Sequence, residues 1–501
     1  MVFVLDHFIM PRRASDGSIV LPPRRGQRAA QWLYAALRAA ILDGQPRAGA
    51  RVPASRDLAR QYGVARGTVV SAFELLASEG YLRATRGSGT YVSAVLPDQL
   101  LSVAGAIRAS RSRKLERRRH LTPYARRLRM IPPLKAGPTR AFRANQPALD
   151  LFPMSLWAQV AARRLRRAST RMLLSCDPMG YSPLRETVAG YLRISRGVRC
   201  TADQIAIVSG VQEVLDLAGR LFIVPGDSVC VENPGYVGAV AVFEAAGASI
   251  APMGLDNEGM VVPPQRLTNP RLVYVTPGHQ FPLGITMSLP RRLQLIDWAR
   301  RAGALILEDD YDSEFRFSGR PVPAMQGLDR HGLVLFAGSF SKVLFPSLRL
   351  GYVVIPENLV SVVSAVRSMT MRHAPVIEQA ILCDFIEEGH FGRHIRRMRE
   401  VYAERLAVLM ESVAATLGGA LELSSVEAGL QTVGWLGDGQ NAELLATAAA
   451  QRAVEVTPLS RYYFRGRAAR QGLVMGFAAA DKSEIRRGVR ELAAAIAVYS
   501  E

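Results

Sequence analysis

The stretch Ser339–Arg349 (SFSKVLFPSLR) decides the fold of this chain, together with Glu308–Tyr311 (EDDY) about thirty residues earlier. An apolar run typical of a buried strand precedes each stretch, so their polar groups stand where strands end. Lys342 offers a primary amine and Asp309 a carboxylate. Hydroxyls and a guanidinium are supplied by Ser339, Ser341 and Arg349. Pyridoxal 5′-phosphate (PLP) needs an amine for its aldehyde, a carboxylate for its ring nitrogen, and hydroxyls with a guanidinium for its phosphate. The sequence therefore predicts a PLP site.

Each of these side chains has a predicted role. We expect Asp309, at the end of a strand over 304–308, to face the pyridine nitrogen and keep it protonated, which makes the ring an electron sink. Tyr311 is expected to donate to the phenolic oxygen of the ring. Lys342 is expected to form the Schiff base, and Arg349 to hold the phosphate by a bidentate contact. A surface lysine is the alternative interpretation of Lys342, and its apolar neighbourhood disfavours that alternative.

Two weaker candidates for cofactor contacts lie upstream. Where a predicted strand turns into a helix, free backbone amides make an anion site. The residues at that turn are Ser209, Gly210, Val211 and Gln212. Many α/β proteins have such a turn without a ligand. Tyr236 follows the next predicted strand and offers a ring that can stack on a planar cofactor, although a lone tyrosine there is more often part of the core.

From about residue 141 onward, strands and helices alternate, which predicts an α/β domain. Helical segments are predicted at 211–222 and 290–302, among others. Apolar runs indicate buried strands at 205–208, 229–231, 272–275, 304–307 and 334–336. Strands that are apolar throughout are typical of a mostly parallel sheet that helices cover.

The first hundred residues have a different pattern. Apolar residues at helical spacing predict a helix over 28–42. A second helix is predicted from Ser55, as its N-cap, to Gly63, and a third begins at Arg66. Two short strands then flank a glycine-containing turn at 85–90. Helices joined by a tight turn and followed by a hairpin predict a winged helix-turn-helix.

We expect this module to bind DNA through the start of its third helix and through its hairpin. Side chains at the start of a recognition helix reach base edges in the major groove, whereas arginines around it neutralise phosphates. Base contacts are predicted for Arg66 and Thr68, and phosphate contacts for Arg51, Arg56 and Arg86. The further predicted DNA contacts are Ser55, Gly67, Gly87 and Ser88. A small helical domain with incidental arginines is the alternative.

The overall composition favours a polyanionic partner. The chain has 501 residues, a formal net charge of +20 and a pI of about 10.4, which is typical of proteins that bind nucleic acid or a membrane surface. An arginine-rich proteome is the alternative. The 4 cysteines form no CxxC or Cys–His cluster, so we expect neither a disulfide framework nor a zinc site. The chain starts with a poor signal peptide, and no apolar run reaches the ~18 residues of a membrane span. We therefore expect a cytoplasmic protein without membrane contact.

These patterns divide the chain into four parts. Residues 1–27 are predicted to be a tail, 28–93 the DNA-binding domain, 94–140 a linker and 141–501 the cofactor domain. The linker is rich in arginine and has little apolar periodicity, which indicates a mostly flexible connector. It is interpreted either as a solvated tether or as a segment that grips DNA phosphates near the half-sites.

The motifs carry a resemblance to known families. Residues 28–93 resemble the GntR family of winged-helix regulators, in which a segment like Arg51–Ala59 (RVPASRDLA) precedes the recognition helix. Residues 141–501 resemble a fold-type I aminotransferase, and the whole chain resembles the MocR subfamily of GntR regulators. Besides the two stretches quoted first, the matching segments are Asp177–Glu186 (DPMGYSPLRE), Thr276–Gly284 (TPGHQFPLG) and Arg393–Arg399 (RHIRRMR).

The resemblance implies a multidomain fold: a winged helix-turn-helix (α+β) joined to an α/β, PLP-dependent, aminotransferase-like domain. It implies a transcriptional regulator that senses PLP or a small amino compound through aldimine chemistry at Lys342. It also implies a head-to-tail homodimer that binds a double-stranded DNA operator with two half-sites, on the nucleoid of a bacterium. On the same basis His279, in the segment Thr276–Gly284, is added to the cofactor contacts.

Two departures from the enzyme pattern bear on catalysis. Transaminases usually hold the ring oxygen with an asparagine that precedes a Pro-Thr-Gly motif. In this chain the corresponding residue is Phe281, which precedes Pro282–Gly284. They clamp the substrate carboxylate with an arginine, whereas Leu473–Phe477 carries none, and the substitutes considered are Arg461 and Arg465. These departures predict poor turnover, with an aminotransferase-like half-reaction left open. The alternatives are a working aminotransferase with an N-terminal DNA-binding extension and, less favoured, a nucleoid-binding protein driven by the arginine-rich linker.

Overall fold

The computed structural model describes residues 19–24, 26–85, 88–96, 121–128, 137–319, 322–466 and 470–500. The predicted DNA contacts Arg86 and Gly87 lie outside these residues, as does most of the predicted linker. The chain divides into two compact units at residues 119 and 120, and each is described by itself. None of the described helices combines the length with the apolar character that a bilayer span requires.

Three helices and a β-hairpin make up the described part of the first unit. Helices α1, α2 and α3 and strands β1 and β2 cover, in chain order, Ala29–Leu42, Ser55–Tyr62, Arg66–Ser78, Leu82–Thr85 and Gly89–Val92. Apolar side chains recur at helical spacing on all three helices and meet in one core. Its fully buried members include Leu33, Leu58, Val69 and Leu76. The two strands pair antiparallel, with Leu82 opposite Val92.

Two local features of this unit differ from the sequence interpretation. Ala54 has the extended backbone of a cap residue, and Ser55 is already the first helical residue of α2, without a side-chain cap. The prediction of Ser55 as the N-cap is therefore wrong by one position. Residues 19–22, interpreted as tail, pack on the unit: Leu21 is buried, and its amide donates to the Tyr62 hydroxyl at 3.0 Å. So short an extended segment has no periodicity by which its sequence could show this.

The second unit is an α/β domain. Helices α4 to α17 cover, in chain order, Pro123–Arg127, Met154–Arg166, Thr170–Leu174, Ser182–Arg196, Val211–Phe222, Val237–Ala246, Leu289–Ala302, Met325–Leu328, Phe340–Val343, Val360–Thr370, Val376–Glu387, His390–Leu417, Ala442–Gln451 and Lys482–Ser500. Strands β3 to β15 cover Ile205–Val208, Ser228–Glu232, Ser249–Met253, Leu255–Asp256, Gly259–Met260, Pro270–Val275, Leu305–Asp310, Val334–Ser339, Gly351–Val354, Leu421–Leu423, Gln431–Leu436, Thr457–Pro458 and Gly472–Gly476.

One large sheet organises this unit, with the described strands in the order β3-β11-β10-β9-β8-β4-β5. Neighbouring strands of this sheet run parallel, except that β11 pairs antiparallel with β10 and with β3. The five strands predicted from apolar runs are all present. Two strands of this sheet were not predicted. The edge strand β5 has mostly half-buried side chains and contains Pro252, a residue that disfavours a strand assignment. Strand β11 is buried and apolar, and it was missed although its sequence carries the same signal as the predicted strands.

Apolar clusters lie on both faces of this sheet. In β3, Ile205 and Ile207 belong to one cluster, whereas Ala206 and Val208 belong to another. Because successive side chains of a strand point to opposite faces, β3 is buried on both sides. This explains why its sequence is apolar throughout and why its predicted bounds agree with the structure.

A smaller antiparallel sheet lies in the C-terminal part, with the order β12-β13-β15-β14. Of these strands, only the region of β15 was identified from the sequence. The segment 121–128 also differs from its interpretation as flexible linker, because Pro123–Arg127 is helical there. Thr122 caps that helix, and Arg127 Nε donates to the Ala245 carbonyl at 3.1 Å.

A buried ion pair fixes the turn between β3 and α8. Arg367 is 1% exposed, and its guanidinium donates to the carbonyl oxygens of Pro178 (2.7 Å) and Ile207 (2.6 Å) and pairs with Glu213. Burial lowers the pKa of Arg367, and the Glu213 carboxylate opposes that shift. Glu213 in turn accepts hydrogen bonds from the amide and hydroxyl of Ser209 at 2.7 and 2.9 Å. The ion pair therefore holds one of the predicted cofactor segments in place.

Replacing Arg367 by methionine should destabilise the second unit by about 3–5 kcal/mol, because it leaves a nearly buried carboxylate unpaired. The matched control is Arg220→Met in the same helix as Glu213. Arg220 pairs with Asp216, and their side chains are 53% and 37% exposed. Its loss should cost no more than about 1 kcal/mol. Urea unfolding of both variants measures the difference, and equal effects would contradict the structural role of Arg367.

Candidate functional site

The predicted cofactor residues come together at the carboxyl edge of the large sheet. Asp309 lies in β9, Lys342 lies in α12 directly after β10, and Ser209 directly follows β3. Because the carboxyl ends of parallel strands meet at the same edge, residues far apart in sequence share one site. β9 runs to Asp310, so Asp309 lies within the strand and not beyond its end.

Asp309 is buried, and only one of its carboxylate oxygens has a partner. Its Oδ2 accepts a hydrogen bond from the Tyr274 hydroxyl at 2.7 Å, whereas Oδ1 has no partner in the described part of the chain. Burial raises the pKa of Asp309 to about 7, although the Tyr274 hydrogen bond opposes that rise. A buried carboxylate with one unpaired oxygen is an incomplete site, which a cationic N–H group of a ligand would complete.

Lys342 provides a partly buried amine next to this carboxylate. Its Nζ donates to the Asn145 carbonyl oxygen at 2.9 Å. Burial lowers the pKa of Lys342 to about 8, and the negative charges of Asp312 and Asp309 oppose that shift. Near neutral pH, the fraction of molecules in which this amine is unprotonated, and therefore nucleophilic, is larger than for an ordinary lysine.

Lysine is rare in this chain, which makes that amine distinctive. Of the 63 lysines and arginines, the lysines are Lys114, Lys135, Lys342 and Lys482. The first two lie outside the described residues. Lys482 is 50% exposed and pairs with Glu404. Among the lysines that the structure describes, Lys342 alone lies at the sheet edge.

Gly210 and Arg349 form an anion-binding end of the site. Gly210 has a φ of +128°, which L side chains rarely adopt, and a Cβ there would lie 3.6 Å from Nη1 of Arg349. Helix α8 begins at the next residue, Val211, so its free N-terminal amides are near the guanidinium. Gln212 Oε1 is buried without a partner among the described residues. A guanidinium beside a helix N-terminus is suited to a phosphate group.

The three predicted serines differ in their present bonding. The Ser209 hydroxyl donates to Glu213, and the Ser341 hydroxyl donates to the Leu350 carbonyl at 3.4 Å. Ser339 is the last residue of β10 and is half-buried. Ser209 precedes Gly210, which lies next to the Arg349 guanidinium, whereas Ser339 and Ser341 contact the backbone of Gly351 and Leu350, which follow Arg349. Ser209 and Ser341 must exchange an internal partner before they donate to a ligand.

Aromatic rings line another side of the site. The Phe281 ring meets Tyr236 and Tyr311 edge-on, at centroid distances of 6.0 and 5.9 Å. His279 is buried, and its Nδ1 lies 3.1 Å from the Tyr311 hydroxyl and 3.0 Å from Asp312 Oδ1. Its Nε2 has no partner in the described part. Tyr311 and His279 thus share one hydrogen-bonded cluster beside Asp309.

Three residues that contact the predicted site residues were not identified from the sequence. Tyr274 lies in β8, the neighbour of β9, and a hydroxyl-bearing ring in an otherwise apolar strand was the available signal. Asp312 lies within the conspicuous acidic segment and was available too. Asn145 acts through its backbone carbonyl, which any residue type provides, so no sequence signal exists for it.

The first unit presents a separate candidate nucleic-acid interface at the start of α3. Arg66 and Gly67 are exposed there, and Thr68 is half-buried. Arg56, in the first turn of α2, is also exposed. No carboxylate in the described part pairs with either arginine, so both charges are available to phosphates or bases.

The hairpin of this unit is tied to Arg51. Arg51 forms a backbone bridge with Tyr91 in β2, and its side-chain Nε would lie 2.7 Å from a Cβ on Gly89. Gly89 has a φ of +116°, which favours glycine at this position. Ser88 closes the hairpin turn through its amide, which donates to the Thr85 carbonyl at 3.1 Å. The Ser88 hydroxyl lies 2.7 Å from the Tyr91 hydroxyl. Arg51 is thus held beside the wing, on the unit that carries Arg66.

The groups at the sheet edge fit PLP. The unpaired Oδ1 of Asp309 matches a protonated ring nitrogen, and the cradle of Gly210 and Arg349 matches a phosphate. The Tyr236 ring lies 6.5 Å, centroid to centroid, from that of Tyr274, the residue whose hydroxyl holds Asp309. Burial, the largest effect, raises the pKa of Tyr236 to about 12. The Lys342 amine is within electrostatic reach of both Asp309 and Arg349, as an aldehyde-binding group requires.

Two families match the chain in separate regions. The family described as "Bacterial regulatory proteins, gntR family" matches residues 29–92. The family described as "Aminotransferase class I and II" matches residues 141–492. The first match covers the winged helix, and the second covers the large sheet and the C-terminal sheet.

Known proteins share this combination. The chain is 38% identical over 464 residues to the "Probable rhizopine catabolism regulatory protein MocR" of Rhizobium meliloti, covering 92% of each chain. It is 30% identical over 487 residues to the "HTH-type pyridoxine biosynthesis transcriptional regulator PdxR" of Corynebacterium glutamicum, covering 97% of this chain and 99% of that one.

The second unit also resembles solved enzymes. It superposes on LysN, the alpha-aminoadipate aminotransferase of Thermus thermophilus, with a TM-score of 0.65 and 29% identity, over 71% of this chain and 92% of that one. The enzyme therefore lacks a counterpart of the first unit, whereas the regulators extend over both. The chain belongs to the MocR subfamily of GntR-type transcriptional regulators, in which a winged helix-turn-helix is joined to an aminotransferase-like domain.

Proposed function

We propose that this regulator binds PLP in its aminotransferase-like domain and responds there to PLP or to a small amino compound. One observation carries the proposal: the buried Asp309 has an oxygen without a partner among the described residues, at the same sheet edge as the Lys342 amine. The related LysN was crystallised with N-(5′-phosphopyridoxyl)-L-leucine, which supports the same class of ligand here.

Each residue of the site has a defined task in this proposal. When bound, PLP supplies an aldehyde that condenses with primary amines and a ring that accepts electrons. Lys342 offers the amine, and Asp309 holds the proton of the ring nitrogen while Tyr274 fixes its other oxygen. Arg349 and the first turn of α8 bind the phosphate, together with the nearby serines. Tyr236 supplies a stacking ring, and Tyr311, placed by His279, donates to the ring oxygen.

An amino compound that replaces Lys342 leaves its Nζ free to hold a proton. That nitrogen donates to the carbonyl of Asn145. Asn145 belongs to a segment that directly follows the predicted linker and whose Phe142 forms a backbone bridge with Gly476. A ligand shifts a conformational equilibrium only by its differential affinity for the two states. We infer that a changed charge on Lys342 alters the position of residues 142–146, and that the linker carries this change to the winged helix.

The proposed assembly is a head-to-tail homodimer in which two winged helices read the two half-sites of an operator. Residues 94–140 connect the DNA-binding domain (28–93) to the cofactor domain (141–501), and their arginines add salt-sensitive affinity. The protein is then cytoplasmic, and associated with the nucleoid when bound to its operator. The relative PdxR, named for pyridoxine biosynthesis, supports PLP itself as one effector.

A second candidate function is turnover as an aminotransferase. The presence of Lys342, Asp309 and Tyr274 in one site favours it. Phe281, at the position of the ring-oxygen asparagine, and the uncharged strand β15 disfavour it. Transamination at an ordinary enzymatic rate, of order ~10 per second, would establish this function in place of pure regulation.

Replacing Lys342 by alanine should abolish covalent attachment of PLP. Borohydride treatment of the PLP-loaded wild type should fix the cofactor to one peptide, the one that contains Lys342, because a reduced C–N bond needs a lysine amine. Lys482→Ala is the control and should keep the adduct. Mass spectrometry of the digests decides, and a stoichiometric lysine adduct in Lys342→Ala would refute the assignment.

The stability of the cofactor-free protein should reveal Asp309 through its pH dependence. The pKa of Asp309 is about 7 in the folded protein and about 3.9 in unfolded chains, so the native state holds the proton more tightly. Its ionisation therefore costs stability as the pH rises from about 4 to 7. Asp309→Asn removes that cost, so its advantage over wild type should be larger at pH 8 than at pH 5 by at least about 1 kcal/mol.

Urea unfolding at several pH values measures this difference. Asp216→Asn, on the exposed side of α8, is the control and should show an offset that does not vary over the same range. Bound PLP should reverse the order of wild type and Asp309→Asn, because asparagine cannot neutralise a protonated ring nitrogen. A pH-independent difference between those two proteins would contradict the proposed state of Asp309.

Arg66→Ala should weaken operator binding by ~1–3 kcal/mol and relax the preference at one base pair of each half-site. Arg56→Ala should weaken all DNA sequences alike and flatten the salt dependence, as loss of a phosphate contact does. Arg193→Ala, at an exposed position of the second unit, is the control. Fluorescence anisotropy with operator and scrambled DNA separates the cases. A wild-type protein that binds both DNAs equally would reject the predicted base contacts.

A further inference from the structure

A cavity of about 810 Å³ opens beside the proposed cofactor site. Asn145, whose carbonyl accepts the hydrogen bond from Lys342, lines it together with Tyr462. The Tyr462 ring meets Phe281 edge-on at a centroid distance of 5.1 Å, so the cavity borders the aromatic wall of the site. Its size suits a small ligand. The chemistry of its lining therefore bears on which amino compound can approach Lys342.

Arg143 is one of two cationic residues that line this cavity in the described part of the chain. Its Nε and Nη2 donate to the two carboxylate oxygens of Glu455 at 2.6 and 3.0 Å, and the two side chains are only 13% and 16% exposed. Its Nη1 also donates to Gln146 Oε1 at 3.4 Å, and Nη2 to the Pro138 carbonyl at 3.1 Å. The charge of this guanidinium is neutralised, and four of its five N–H donors make these hydrogen bonds.

Arg461 is the other cation of the lining, and it is paired as well. Its Nε and Nη2 donate to Glu443 Oε2 at 3.1 and 2.6 Å. This pair is about half exposed, and exposed ion pairs are worth about 1 kcal/mol or less. Arg461 is therefore easier to release than Arg143, and an experiment has to treat it separately. Arg465 is exposed and is not part of the lining.

Strand β15 contributes no cation either. Its residues Gly472–Gly476 are buried and uncharged. The position of a Cβ on Gly476 is already occupied by the carbonyl group of Arg143, because the segment 142–146 closes on this strand. A side chain of any size, and an arginine above all, is therefore excluded at Gly476.

Neutral hydrogen-bonding groups make up the remaining polar lining. They are Asn145, Gln146, Ser347, Thr447, Thr457 and Tyr462. Amides and hydroxyls donate and accept hydrogen bonds, so they match the hydroxyl groups of a ligand. A carboxylate that enters this cavity loses its hydration and gains a counter-charge only if an arginine first gives up its glutamate, which costs more than the transfer of a hydroxyl.

We propose that the effector is a primary amine that carries hydroxyl groups in place of a carboxylate beside the amine. This inference rests on the proposed function, since the amine acts at a PLP-loaded Lys342 site. It sets this regulator apart from sensors of ordinary amino acids, because the groups that clamp a carboxylate are either paired with glutamates or excluded by the backbone.

The test compares two ligands that differ in one group. L-serine and 2-amino-1,3-propanediol share the amine and one hydroxymethyl group, and the carboxylate of serine is replaced by a second hydroxymethyl in the diol. Full-length, PLP-loaded protein is titrated with each, and the absorbance spectrum and the operator affinity are followed. The diol should act at a concentration at least about tenfold lower, a difference of about 1.4 kcal/mol. L-threonine and threoninol repeat the comparison.

Variants of the lining test the cause of this preference. Glu455→Gln keeps the shape of the side chain but releases the charge of Arg143, so serine should gain at least about tenfold relative to the diol. Glu422→Gln is the matched control, because it releases Arg470, an arginine that does not line the cavity, and should leave the ratio unchanged. An unchanged ratio in a folded Glu455→Gln protein would overturn the role given to the Arg143 pair.

The remaining outcomes are distinct. A wild-type protein that responds to serine as well as to the diol would overturn the proposal. Loss of that serine response in Arg461→Gln would then identify Arg461 as a carboxylate anchor. If no amine changes the spectrum or the operator affinity of a protein that does respond to PLP, the amine proposal fails and the proposed function stands. If PLP itself changes neither, the proposed function fails as well.

Discussion

The burial of one carboxylate governs the arrangement of the aminotransferase-like domain. Asp309 lies within a central strand, where a charged group has to be paired or neutralised. Tyr274 on the adjacent strand satisfies one oxygen. The charges of Lys342 and Asp309 interact, but Lys342 forms no salt bridge with the second oxygen. The sheet thereby holds, near the ends of several strands, a carboxylate with one oxygen that has no partner in the described part of the chain.

The two ends of the proposed site are held by different kinds of contact. At the end that includes Gly210, the buried pair of Arg367 and Glu213 fixes the turn. At the end that includes Lys342, the amine donates to the Asn145 backbone carbonyl, in a segment that a bridge between Phe142 and Gly476 joins to β15. Side-chain charges therefore fix the first end, whereas the second depends on backbone contacts.

Much of this arrangement could be predicted from the sequence, and the omissions have physical causes. The bounds of β3 and the positions of Asp309 and Lys342 at the sheet edge were accessible, because a strand buried on both faces is apolar throughout and polar groups near its end are conspicuous. Asn145 was not accessible, since a backbone carbonyl has no residue signature. The cap of α2 was misplaced by one residue, and the C-terminal strands of two to six residues are too short for a reliable pattern.

The scarcity of lysine has a practical consequence for chemical work on this protein. Arginine provides nearly all of the 63 cationic side chains, and a guanidinium, protonated at all ordinary pH values, does not condense with an aldehyde as a neutral amine does. A reactive aldehyde in the cell thus meets few competing amines on this chain. For the same reason amine-directed cross-linkers and labels find few attachment points, and any contact of this chain with a partner has to be mapped with reagents aimed at carboxylates or arginines.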